Sequence, residues 1–89
     1  MFSWINKQGV RSSDGFEVQF AGRFTAEYRE GLRHLVVDVE GGGNGDISFS
    51  PRAFERWAND SMPNSKEEQA RMLKNFLEAL SFQGLRGVP

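Results

Sequence analysis

The chain has 89 residues, of which 38% are hydrophobic and 26% charged, so it can build one compact domain but not two. Eleven Lys and Arg against twelve Asp and Glu give a formal net charge of -1, which excludes the broad basic field of non-specific nucleic-acid binders. The absence of cysteine excludes disulfides, thiolate nucleophiles and cysteine-based metal sites. With no basic leader and no apolar run long enough to span a bilayer, we expect a cytoplasmic protein without a membrane partner.

Alternation of apolar and polar residues in the first half of the chain predicts short, half-buried strands separated by glycine-containing turns. The segments with this pattern are residues 16–20, 24–29, 34–40 and 47–49, with residues 10–13 as a candidate edge strand. The connections are short enough for hairpins, and the Gly41–Gly45 cluster is one of them. Residues 1–49 are therefore expected to form a four- to five-stranded antiparallel β-meander.

The first helix signal is Ser50-Pro51. Serine is a favoured N-cap residue and proline is favoured at the first helical position, so a helix is predicted to begin at Pro51. The spacing of Phe54 and Trp57 then predicts a short helix with both side chains in the core. A second, longer helix is predicted after Ser65, which forms an S-x-x-E capping box with Glu68. Its apolar residues keep the helical period, at Leu73, Phe76, Leu77 and Leu80.

These elements predict an α+β domain in which two C-terminal helices pack on one face of the antiparallel sheet. Within this single domain, residues 1–49 form the sheet half and residues 50–84 the helical half, which ends at Gly84. Residues 85–89 are expected to be a tail that either frays or docks. The aromatic residues Phe16, Phe20, Phe24 and Tyr28 share the parity of the aliphatic residues, which assigns them to the core.

The face of the sheet turned away from the helices, called the open face below, carries mainly polar residues. By alternation it holds Glu17, Gln19, Arg23, Thr25, Glu27, Arg29, His34, Val36, Asp38 and Glu40. Between residues 16 and 49 there are six carboxylates and three arginines, a local excess that repels phosphate and argues against nucleic acid. The six carboxylates are the candidate residues for binding a partner: Glu17, Glu27, Glu30, Asp38, Glu40 and Asp46.

Catalytic and metal chemistry have little support in the sequence. Asp38 and Glu40 lie on one side of one strand, a spacing that some metal nucleases use, and Glu27 could join them around Mg²⁺. An acidic pair on a solvated face is more often a solubility feature, so we expect no metal and no cofactor. His34 is the single histidine and could act only as a lone general base, and no serine lies in a G-x-S-x-G setting. We therefore expect a protein that is not an enzyme.

The order of features from Tyr28 to Phe82, about 55 of the 89 residues, resembles bacterial polymorphic-toxin immunity proteins, most nearly the immunity protein 74 family. The resemblance is carried by the segments Tyr28-Arg29-Glu30-Gly31, Val37-Asp38-Val39-Glu40, Ile47-Ser48-Phe49, the Ser50-to-Trp57 helix, and the capped helix with Leu73, Asn75, Phe76 and Ala79-Leu80. It implies a small α+β protein that binds and neutralises a toxin encoded nearby.

The sequence leaves two hypotheses for the function of the open face. In the first, implied by the resemblance, the acidic residues bind a basic toxin domain as a protein partner. In the second, the open face is the interface of a homo-oligomer, such as a homodimer, in a structural or single-stranded nucleic-acid-binding protein. Val36, an apolar residue on a polar face, is the feature that favours the second.

Overall fold

Seven strands, one 3₁₀ helix and one α-helix make up the computed structural model, which describes residues 1–89. The strands are β1 (Phe2–Asn6), β2 (Gly9–Ser12), β3 (Glu17–Phe20), β4 (Thr25–Glu30), β5 (Arg33–Gly41), β6 (Asp46–Phe49) and β7 (Arg86–Val88). Between β6 and β7 the chain forms the 3₁₀ helix Pro51–Glu55 and the helix α1 (Lys66–Phe82). These elements confirm the predicted α+β class and the antiparallel meander, but not the predicted numbers of strands and helices.

The sheet order follows the chain, β1-β2-β3-β4-β5-β6-β7. Neighbouring strands up to β6 are antiparallel, because each is joined to the next by a short turn. Only β7 runs parallel to its neighbour β6, since the chain crosses over the sheet through α1 before it returns. The longest strand, β5, pairs with β4 through residues 33–38 and with β6 through residues 39–41.

The hydrophobic core lies between one face of the sheet and the helical segments. Tyr28 of β4 stacks on Phe16 and Trp57, and its ring meets Phe54 edge-on at 5.8 Å. Phe76 of α1 packs edge-on against Phe49 of β6 at 5.0 Å and against Phe54. Edge-on and offset aromatic pairs of this kind stabilise a core beyond the area that they bury. The aromatic residues thus hold the sheet to both helical segments.

The predicted N-cap residues are confirmed, but only one of the two hydrogen bonds of the predicted capping box forms, because the carboxylate of Glu68 is engaged by Arg71. The hydroxyl of Ser65 accepts a hydrogen bond from the backbone N–H of Glu68 at 3.1 Å, and α1 starts at the next residue, Lys66. At the other end Gly84 follows the helix with φ of 79°, a left-handed conformation that glycine adopts without strain. Ser50 caps the segment that begins at Pro51, where it accepts a hydrogen bond from the N–H of Arg52.

The strand count was predicted too low, because both edge strands lack the alternation of a half-buried strand. In β1 the register with β2 shifts between Trp4 and Asn6, so the apolar residues do not keep a period of two. The strand β7 has three residues and is defined by its pairing with β6. The tail, for which fraying and docking were both open, therefore docks on the sheet.

The two-helix prediction was wrong at its first helix, which is a single 3₁₀ segment of five residues. Trp57 lies beyond its end and is nevertheless buried, so the predicted core position is confirmed without the predicted helix. Phe24 was assigned to the core and is 60% exposed, because β4 starts one residue later, at Thr25. No helix in the structure has both the length and the apolar character needed to cross a membrane.

Candidate protein-binding surface

Two of the six candidate carboxylates are neutralised on the open face. Glu17 of β3 accepts a hydrogen bond from Arg11, its register neighbour on β2, at 2.9 Å. Glu27 accepts one from Arg29, two residues along the same strand. Solvent-exposed ion pairs of this kind contribute roughly 0–1 kcal/mol each, but they do cancel the local charge. The part of the open face formed by β2, β3 and β4 is therefore close to neutral.

Glu30 lies on the helix side of the sheet rather than on the open face. Its carboxylate accepts two hydrogen bonds from Arg71 of α1, at 2.9 and 3.0 Å, and one from the hydroxyl of Tyr28. Burial by itself raises the pKa of Glu30, but the hydrogen bonds from Arg71 and Tyr28 outweigh burial and hold that pKa below its ordinary value. Glu30 is thus a structural anion between β4 and α1.

Asp46 is also paired within the chain. It accepts a hydrogen bond from Arg86 at 2.8 Å, across the parallel register of β6 and β7. This hydrogen bond, together with the charge of Asp46, raises the pKa of Arg86. Asp46 therefore helps to attach β7, and its charge is matched locally.

Asp38 and Glu40 are the two candidate carboxylates that form no ion pair, and both are exposed. They lie on β5 where this strand changes partners, since Thr25–Asp38 is the last register pair with β4 and Val39–Phe49 the first with β6. An open groove of about 630 Å³ lies at this junction, lined by Phe24, Thr25, Asp38, Val39, Glu40, Ser48, Phe49 and Ser50. We call this the β5 groove. It combines two free negative charges with three hydroxyl groups and an exposed aromatic ring.

Two exposed apolar side chains border these charges. Phe24 lines the β5 groove and is 60% exposed, and Val36, two residues before Asp38 on the open face, is 49% exposed. Phe24 was not predicted as a surface residue, because it shares the alternation of the core residues Ala26 and Tyr28. The signal that could have placed it outside the core is Gly22, which lies in the turn between β3 and β4, two residues before Phe24, and has a positive φ of 82°.

The candidate general base and the candidate metal ligands can be located on β4 and β5. His34 lies four residues before Asp38 on the same strand, about 13 Å away at ~3.3 Å per residue. Glu27 faces Val36 in the register of β4 and β5 and is engaged by Arg29, so it does not complete a set with Asp38 and Glu40. No group of three or more His, Cys, Asp or Glu side chains comes together anywhere in the chain.

The β5 groove is suited to recognise a cation presented by another molecule. Carboxylates and hydroxyls accept hydrogen bonds from lysine or arginine, and an aromatic ring attracts a cation placed over its face. No protein-family model, curated protein or solved structure matches this chain.

Proposed function

We propose that this protein is a non-enzymatic binding module, an immunity protein that binds and neutralises a cognate bacterial toxin. The observation that carries the proposal is the pairing pattern of the carboxylates. Asp38 and Glu40 are free and exposed beside Phe24, whereas the carboxylates of the other four candidates are engaged within the chain. The proposed contact surface is therefore centred on the β5 groove and includes two of the six candidate carboxylates.

In this account a basic side chain of the toxin enters the β5 groove and forms ion pairs with Asp38 and Glu40. Phe24 contacts the aliphatic part of that side chain or its charged end, and Val36 extends the apolar contact along β5. Free carboxylates also attract a basic partner before contact, which speeds association and makes it sensitive to salt. Inhibition follows if the basic residue belongs to the toxin's own substrate-binding cleft.

The alternative of single-stranded nucleic acid is less well supported. Of the three arginines on the open face, Arg11 and Arg29 are each engaged by a glutamate, which leaves Arg23 against the two free carboxylates Asp38 and Glu40. A phosphate backbone would be repelled by Asp38 and Glu40. The core aromatics Phe16 and Tyr28 are buried and give no platform for base stacking.

The proposal is tested by co-expression with the products of neighbouring genes. Each neighbour's C-terminal region is expressed alone, and toxic ones are then expressed together with this protein. We expect growth to be restored for one of them, with a complex of the two proteins recovered on purification. Persistent toxicity of every neighbour, with this protein folded and abundant in the same cells, would overturn the immunity role.

A further inference from the structure

The outer edge of the sheet, strand β1, carries an unused set of backbone hydrogen-bonding groups. The N–H of Ser13 donates to the carbonyl of Met1 at 2.9 Å, and the register then pairs Ser3 with Arg11. Because hydrogen-bonding residues alternate along an antiparallel ladder, Ser3 faces β2 and the N–H and C=O groups of Phe2 and Trp4 point away from the sheet. These two residues offer two donors and two acceptors to a further strand.

An exposed aromatic patch lies next to this edge. The ring of Phe82, at the end of α1, is 5.4 Å from that of Phe2 and 5.8 Å from that of Trp4. Trp4 is 53% exposed and Phe82 43%. Exposed apolar residues that are contiguous, rather than scattered singly, mark an interaction surface.

The two edges of the sheet differ in how they are protected. The strand β7 is three residues long, includes Arg86 and is followed by Pro89, which has no N–H to donate. Short length, charge and proline are the usual means by which an edge strand resists pairing. Strand β1 has five residues, Phe-Ser-Trp-Ile-Asn, with no charge and no proline among them. The protein therefore protects one edge and leaves the other open to a partner strand.

We propose that β1 pairs antiparallel with β1 of a second copy of this chain, forming a symmetric dimer with one continuous sheet. With Ser3 opposite Ser3 of the second copy, Phe2 falls opposite Trp4, and every outward-facing group of both residues is used. The aromatic side chains then meet as cross-strand pairs.

A second copy fits this edge better than a charged partner would, because β1 itself is uncharged. The antiparallel arrangement also brings Lys7 of one copy toward the turn at Asp14 of the other. Neither residue forms an ion pair within its own chain. This interface lies at the outer edge, whereas the β5 groove lies at the junction of β4, β5 and β6, so a dimer leaves the groove free for the toxin.

Sedimentation equilibrium of the full chain from micromolar to millimolar concentration tests the proposal. We expect a reversible monomer–dimer equilibrium and a rise of about tenfold or more in the dissociation constant for Trp4→Lys. Leu32→Lys, a matched change at a fully exposed apolar residue in the turn between β4 and β5, should leave the equilibrium unchanged. A wild-type protein that stays monomeric, or a Trp4→Lys dimer as tight as the wild type, would overturn the proposal.

Amide hydrogen exchange on the wild-type protein gives a result that does not depend on the variants folding. In the dimer the N–H groups of Phe2 and Trp4 become hydrogen-bonded, so their protection should increase with protein concentration. The amide of Leu32 should exchange at one rate throughout. Concentration-independent exchange at Phe2 and Trp4 in a sample that dimerises would place the interface elsewhere and contradict the β1 pairing.

Discussion

Arg71 and Glu30 form a two-pronged ion pair across 41 residues of sequence, with N–O distances of 2.9 and 3.0 Å. The pair joins α1 to the end of β4, and Arg71 is held in turn by Glu68 on its own helix. On the sheet side Tyr28 donates to Glu30 and accepts a hydrogen bond from Asn75 at 3.0 Å. This network adds directional hydrogen bonds between α1 and the sheet to the apolar contacts of the core.

Replacing Glu30 should therefore destabilise the fold more than replacing an exposed carboxylate does. We expect Glu30→Gln to lower the free energy of unfolding by about 1–3 kcal/mol, because Arg71 and Tyr28 lose a charged acceptor. Glu27→Gln, which breaks the exposed pair with Arg29, should cost no more than about 1 kcal/mol. Urea unfolding of both variants makes the comparison, and equal costs would contradict a special role for Glu30.

The same network makes stability depend on pH on the acid side. The folded protein holds the pKa of Glu30 below its ordinary value of 4.5, so the unfolded chain takes up this proton at higher pH than the folded one. The contribution is fully present above that ordinary value and is lost as pH falls through the lower folded pKa. Between about pH 5.5 and 3, Glu30→Gln should thus lose less stability than the wild type. If the wild type and Glu30→Gln lost the same stability over this pH range, carboxylates other than Glu30 would account for the acid dependence of folding.

Tyr28 is the only tyrosine in the chain, so its ionisation can be followed by absorbance without interference from another phenol. Burial, and next the hydrogen bond to Glu30, raise the pKa of Tyr28 well above its ordinary value of 10.0. The neutral phenol therefore stabilises the fold below that value, and this contribution is lost as pH rises through the folded pKa. We expect tyrosinate absorbance to appear only when the protein unfolds at alkaline pH. Titration near pH 10 while the fold is intact would contradict the buried network.

Gly87 of β7 has little room for a side chain. A methyl group there would overlap Leu77 and lie 3.0 Å from Leu80 and 3.1 Å from the ring of Phe49. Since this core is well packed, Gly87→Ala should cost about 1–3 kcal/mol, measured by urea unfolding. Gly41→Ala, with nothing within 4 Å of the added carbon, is the matched control. A Gly87→Ala protein as stable as this control would mean that β7 is not packed against α1.

Local patterns in the sequence predicted the central strands, both N-caps and the helix α1, because these depend on alternation and capping within a few residues. They also placed Asp38 and Glu40 on the open face. The partners of the other carboxylates could not be predicted, since the Glu30–Arg71 and Asp46–Arg86 pairs join residues 41 and 40 positions apart. The strand β7 could not be predicted for the same reason. Its pairing depends on where α1 returns the chain.

We propose above all that the free carboxylates of the β5 groove bind the toxin. The most direct measurement compares the association rate and the growth rescue of two charge-matched double variants with the neighbour-encoded toxin. One variant is Asp38→Lys with Glu40→Lys, and the control is Glu55→Lys with Glu78→Lys, two exposed glutamates that form no ion pair.

We expect the groove variant to associate about tenfold or more slowly, to lose the salt dependence of association and to fail in rescue, while the control behaves nearly as the wild type does. Amide exchange or circular dichroism establishes that both variants are folded. A folded groove variant that binds and rescues as well as the control would contradict the claim.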